Sequence, residues 1–125
     1  TISSINKIYN KYNYLIDPHT AVGYKAYEDY LAFCKEYCCK NLENIKTVIV
    51  STASPFKFPK TCLDAIGGFS FAINRFNELE LAFLLAQKSA LKVPEPIEIL
   101  KNQPILHNIS IEKEDAKSFL QNILN

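Results

Sequence analysis

The sequence contains no methionine, only three glycines and two histidines, and no excess of either charge: 14 Lys and Arg stand against 13 Asp and Glu, for a formal net charge of +1 over 125 residues. Each shortage removes a class of protein. Charges of both signs, interspersed along the chain, give no sustained positive field for gathering nucleic acid or anionic lipid, so neither partner is implied. No apolar run approaches the roughly 20 residues that span a bilayer, and the N-terminus lacks the charged, apolar and small-residue order of a signal peptide. No membrane partner is expected, and the expected compartment is the cytoplasm. The chain has no Gly-rich loop to cradle a phosphate, no Gly-x-Ser-x-Gly elbow and no His-Glu-x-x-His helix, so spacing alone reveals no complete active site. A chain without any Met that opens directly on a helical pattern is expected to be a single segment, residues 1–125, cut from a longer protein.

What is present fits an ordinary globular chain able to bury one core, with 48% hydrophobic and 22% charged residues. The four cysteines, Cys34, Cys38, Cys39 and Cys62, include no Cys-x-x-Cys pair. Zinc would need further ligands from only two histidines, so no metal site is expected and the thiols read as reduced and partly buried. Ile2, Ile5, Ile8, Tyr9 and Tyr12 recur at helical spacing. A second amphipathic pattern runs from residue 18 to about residue 39, with Tyr27, Tyr30, Leu31, Cys34, Tyr37 and Cys38 on its apolar side. Residues 59–66 form a short helix stopped by Gly67-Gly68. Residues 77–91 begin with an Asn77-x-x-Glu80 cap and are apolar nearly all round, which predicts burial on several sides. Pro96 can open another short helix, and Ala116, Phe119, Leu120, Ile123 and Leu124 make the stripe of a last one. Thr47-Val48-Ile49-Val50 reads as a buried strand, and residues 107–111 alternate like an edge strand. The sum is an α/β, helix-rich chain of about five or six helices and two or three short strands. So few strands leave edges that something must cover, a role that a larger parent sheet would fill.

Two stretches could carry chemistry. In LIDPHTAVG, residues 15–23, Asp17 is placed as the N-cap of the second helix, with Pro18 at its first position. A second reading has the first turn present His19 and Thr20 toward an anionic group at the positive end of the helix dipole. In STASPFKFP, residues 51–59, the loop follows the apolar strand, and ligands of open α/β sheets bind beyond the carboxyl ends of strands. Ser51 and Thr52 offer hydroxyls that donate and accept there, or else simply form a Ser/Thr turn stiffened by Pro55 and Pro59. Lys57, between two aromatics, reads as a solvated loop lysine.

Taken together, YLIDPHTAVG and, some 25 to 30 residues on, VIVSTASPFKFP resemble the two signature stretches near the C-terminus of the threonine synthase family. The likeness runs over the whole chain in outline and is specific over about twenty residues. It implies a pyridoxal-phosphate lyase of the tryptophan-synthase β-subunit fold type, which converts O-phosphohomoserine and water to threonine and inorganic phosphate. It implies that the chain is the C-terminal part of such an enzyme and that its partner is the remainder of the enzyme. The lysine that forms the cofactor Schiff base and the Gly-rich phosphate loop would precede this region, so no catalytic residue is assigned within it and the piece alone is expected to be inactive. The resemblance carries to Thr52, with Ser51 as its neighbour, the hydroxyl that faces the cofactor's pyridine nitrogen, and it places Asp17, His19 and Thr20 at an active-site wall. Where the family usually reads Ser-Thr-Ala-His-Pro, this chain has Ser54 in place of the imidazole. The alternatives are a noncatalytic binding domain derived from the same fold, or a related pyridoxal-phosphate lyase. With the parent sheet missing, an exposed apolar patch and self-association are expected.

Overall fold

The computed structural model describes residues 1–37, 45–67 and 74–124, and its order follows from the caps written into the chain. Helix α1, Ile2–Tyr12, buries Ser4, Ile5 and Ile8 and ends at Asn13, whose left-handed backbone (φ 50°) returns its N–H to the Tyr9 carbonyl. Asn is among the few residues that take this conformation at small cost. Tyr14-Leu15-Ile16 then runs without regular structure, burying Leu15 and Ile16, and delivers Asp17 to the start of α2, Pro18–Glu36. A 3-10 turn, Pro55–Lys57, leads into α3, Pro59–Ile66, which Gly67 closes with φ 84°. Helix α4, Glu78–Ser89, opens on a full capping box: Glu80 N–H donates to Asn77 Oδ1 at 2.9 Å, and Asn77 N–H donates to Glu80 Oε2 at 2.8 Å. Helix α5, Glu95–Leu100, follows Pro94, and a 3-10 turn, Lys113–Asp115, precedes α6, Ala116–Leu124.

Helix α3 lies between α1 and α4, and α2 packs on α1. The core gathers Ile5 and Ile8 of α1, Cys62, Leu63 and Ala65 of α3, and Leu81, Ala82 and Leu85 of α4. Two hydrogen bonds tie the layers together: Asn6 Nδ2 donates to the Ala65 carbonyl at 2.8 Å, and the Tyr9 hydroxyl donates to the Lys88 carbonyl at 3.2 Å. The apolar girdle of α4 is covered as its sequence requires, with Leu81, Ala82 and Leu85 buried and Leu79, Phe83, Leu84 and Ala86 half-buried. No helix among the described residues is long and apolar enough to cross a membrane.

Two expectations need correction. Among the described residues there is no strand. A strand exists only through ladder bonds to a neighbour, and neither 47–50 nor 107–111 has one there. Val48 and Val50 are 84% and 74% exposed while Ile49 between them is half-buried. The alternation of a one-sided strand is therefore present without the sheet. The apolar side of α2 is also narrower than its periodicity suggests. Cys34 is buried and Tyr27 and Leu31 are half-buried, whereas Tyr30 and Tyr37 are exposed; α1 is the helix packed most closely on α2 among the described elements. The amphipathic C-terminal helix is present as α6, with Ala116 and Phe119 of its stripe half-buried and Leu120, Ile123 and Leu124 exposed, and residues 101–112 before it are all exposed. Cys34 and Cys62 are free and buried; Cys38, Cys39 and Gly68 lie outside the described residues.

Since Leu63 is fully buried between α1 and α4, Leu63→Ala should cost about 2–5 kcal/mol. Val48→Ser, at an exposed position, should stay within about 0.5 kcal/mol. Urea unfolding of the two variants measures the difference, and equal losses would place Leu63 outside the core.

Candidate functional site

Asp17 is the centre of the site. Its extended backbone (ψ 164°) leaves the carboxylate over the first turn of α2, where Oδ1 accepts from His19 N–H at 2.8 Å and Thr20 N–H at 3.3 Å. These are the bonds of an N-cap, and Pro18, which has no N–H, sits where none is needed. The His19 ring reaches the same oxygen, Nδ1 to Oδ1 at 3.2 Å. An ionised carboxylate only accepts, so Nδ1 carries the proton in that contact.

The other carboxylate oxygen does what capping does not require. Oδ2 accepts from the Thr20 hydroxyl and lies 3.4 Å from Ser51 Oγ, while Thr20 Oγ1 and Ser51 Oγ are 3.0 Å apart. Thr20 has one hydroxyl proton and gives it to Asp17, so the single Ser51 proton is shared between Thr20 Oγ1 and Asp17 Oδ2. The two signature stretches, 31 residues apart at this bond, are thus joined by a carboxylate and two hydroxyls.

Further contacts hold the same junction. The rings of His19 and Phe58 lie 4.9 Å apart, centroid to centroid, tilted by 56°. A Cβ added to Gly23 would stand 3.7 Å from the Ile49 side chain, ordinary contact distance. Cys62 Sγ sits 4.0 Å from the Ile16 carbonyl. Beside the junction opens a hollow of about 330 Å3, walled by Tyr12, Tyr14, Tyr24 and Ile49, with Thr20 and Ser51 in its lining.

Electrostatics follows from this arrangement. Burial pushes the Asp17 pKa up, but the hydrogen bonds from the Thr20 hydroxyl, the His19 and Thr20 amides and the His19 ring outweigh it and hold the group below its ordinary value. The Cys62 thiol is pushed up to about 12, first by burial and then by the Asp17 charge. It stays protonated and is no nucleophile.

The expected residues therefore separate into two groups. Asp17, Thr20 and Ser51 meet directly, and His19 joins them at the rim with its side chain 65% exposed. Thr52 is exposed, one residue beyond the cluster. Lys57 is exposed. Ser54, where the family pattern has an imidazole, accepts from Phe56 N–H at 3.3 Å and caps the 3-10 turn. The sequence did not flag Phe58 as the partner of His19; the aromatics flanking Lys57 were the available signal. Among the described residues no three of His, Cys, Asp and Glu are grouped to hold a metal.

A family model described as the C-terminal region of threonine synthase matches residues 20–103. A threonine synthase of Saccharomyces cerevisiae is 37% identical over 126 residues, which is 94% of this chain and 22% of the yeast protein. A threonine synthase of Schizosaccharomyces pombe is 39% identical over 70 residues, 56% of this chain and 12% of that protein. The chain thus spans no more than about a fifth of the length of these relatives. No solved structure matches it.

The depressed Asp17 pKa fixes a pH dependence. A group whose folded pKa lies below its unfolded value, about 3.9 for Asp, contributes stability that is present above that value and is lost as pH falls through the folded one. The chain should therefore lose stability on acidification below about pH 4, and Asp17→Asn should flatten that limb. At pH 7, Asp17→Ala should cost about 1–3 kcal/mol through the lost cap and the unsatisfied donors. Urea unfolding at a series of pH values checks both, and an Asn variant with an unchanged acid limb would remove Asp17 from the titrating groups.

Proposed function

The chain belongs to the threonine synthase family through its C-terminal region, and on that premise we infer that it forms one wall of the cofactor pocket of a pyridoxal-phosphate lyase. In the longer protein this enzyme converts O-phosphohomoserine and water to threonine and phosphate. The chain by itself, one C-terminal segment, does no chemistry. The observation that carries the reading is the junction of the two signature stretches at Asp17, Thr20 and Ser51. It leaves the next hydroxyl, that of Thr52, exposed and free to face a group supplied by the rest of the protein.

The donor set suits such a group. When bound, pyridoxal phosphate supplies the electron sink for reaction at the amino-acid carbon skeleton. A neutral hydroxyl at Thr52 would donate to a neutral pyridine nitrogen, where a carboxylate would instead hold that nitrogen protonated. Asp17, the carboxylate of the cluster, already accepts from its own helix turn and from Thr20. His19 and Thr20 contribute a wall beside it.

The remaining parts of the reading follow from the exposed surfaces. The one-sided alternation at residues 48–50 supports an α/β fold in which this segment joins a sheet of the longer chain. The free thiols of Cys34 and Cys62 accord with a reducing, cytoplasmic compartment. Val22, Phe33, Ile45, Val48 and Val50 are all exposed apolar side chains. Taken alone, the chain should self-associate through them, which sedimentation over a range of concentrations would register; a monomer at the highest concentration would count against the missing sheet.

The reaction is tested in the full-length protein by phosphate release from O-phosphohomoserine, with and without pyridoxal phosphate. Thr52→Ser keeps a donor and should retain most turnover. Thr52→Val leaves the ring nitrogen unpaired, a loss of about 1–3 kcal/mol, or about one to two powers of ten in turnover. Equal turnover for the Val and Thr proteins would remove Thr52 from the site.

A further inference from the structure

Capping α2 needs one oxygen of Asp17, and Oδ1 supplies it through the His19 and Thr20 amides. The second oxygen is turned to side chains, first to the Thr20 hydroxyl and, with it, to Ser51 across 34 residues of sequence. A buried carboxylate that served only as a cap could leave Oδ2 to other donors. Here the donor it shares with Thr20 belongs to the segment carrying Thr52.

The geometry points to Asp17 as a positioning residue that, through the Thr20 hydroxyl, latches Ser51 to the entrance of α2 and so fixes the backbone immediately before Thr52. Two flanking contacts make the latch directional. Ile49, two residues before Ser51, lies 3.7 Å from where a Cβ at Gly23 of α2 would stand, and the Phe58 ring, seven residues after Ser51, lies 4.9 Å from that of His19. The segment between them is held at both ends by packing and in its middle by hydrogen bonds. Of the three holds, the hydrogen-bonded one is nearest to Thr52. The importance of the latch for catalysis rests on the reading of Thr52 given above; the latch itself does not.

Thr20→Val separates the latch from the cap. It keeps the shape of the side chain and both backbone bonds to Oδ1, but it removes the hydroxyl that bridges Oδ2 to Ser51 and leaves only their long direct contact at 3.4 Å. Ser51→Ala breaks the same link at an exposed position that the core does not need. Amide relaxation on the full-length protein without cofactor, isotope-labelled in this segment, reads the result, with α1 and α3 as internal controls. In the unaltered chain the Thr52 and Ala53 amides should show order parameters near those of the helices, about 0.85. In Thr20→Val and in Ser51→Ala they should fall below about 0.6, while α1, α3 and the first turn of α2 stay rigid. Thr20→Ser should restore them, which a purely steric role for Thr20 would not allow. Order parameters unchanged in both variants, a uniform fall that includes α1 and α3, or no restoration by serine would each overturn the latch. No arm contains pyridoxal phosphate, so failure here is distinct from a failure of the Thr52 turnover test.

Discussion

A carboxylate removed from water loses several kcal/mol of hydration unless the protein replaces it, and Asp17 is fully buried. The replacement comes from the first turn of α2, from the His19 ring and from hydroxyls on two separate segments. Satisfying this one charge dictates much else. Pro18 must stand where no amide is missed, Thr20 must carry a hydroxyl, and Ser51 must come back to the helix entrance. The segment holding Ser51 is thereby drawn over α2, where Gly23 leaves ordinary contact distance for Ile49. The Asp17 charge also explains part of the raised Cys62 pKa. A thiolate there would be a buried negative charge beside another negative charge, so the thiol keeps its proton.

What could be read from the sequence divides along the range of the interactions. Caps are local, and they are legible: the Asp17-Pro18 entrance, the Asn77-x-x-Glu80 box and the stop at Gly67 fall where the residue types place them. Apolar periodicity finds the helices, but it reports which residues could be buried, and a covering element decides which are. Tyr30 and Tyr37 satisfy the period of α2 and are exposed, and the same holds for Leu120 and Ile123 of α6. The strand at residues 47–50 fails for the same reason in another form, since β-branched residues favour an extended backbone yet cannot supply a second chain to pair with. In the site, Asp17 was legible as a cap because the two amides that donate to it lie within three residues. Its bond to Ser51 was not legible, because nothing in either stretch encodes a contact over 34 residues. The likeness of the paired stretches to a family assigned both to one active site and named no contact between them.

Ser54 shows how a departure from a family pattern can be absorbed locally. The short hydroxyl accepts from the Phe56 amide and caps the turn that starts at Pro55. An imidazole at this position would place its ring nitrogens farther from the backbone, so Ser54 trades reach for turn stability. The imidazole that does lie near this loop is His19, brought to Phe58 from the other stretch.

The direction of the unpaired surfaces gives the arrangement its meaning. Helices α1, α3 and α4 close a core among themselves, whereas the segment 45–50 turns Val48 and Val50 outward and keeps Ile49 against α2. A short segment in this state has one face already packed and one edge free, which is what an incoming strand requires, and parallel sheets are covered on both faces by helices. On the reading proposed above, α1 and α2 are the cover for one face, and the latch at Ser51 sits at the carboxyl end of the segment, where open α/β sheets bind their ligands. The buried carboxylate then serves two ends with one geometry. It starts α2, and it fixes where the segment 45–50 stops and the hydroxyl loop begins.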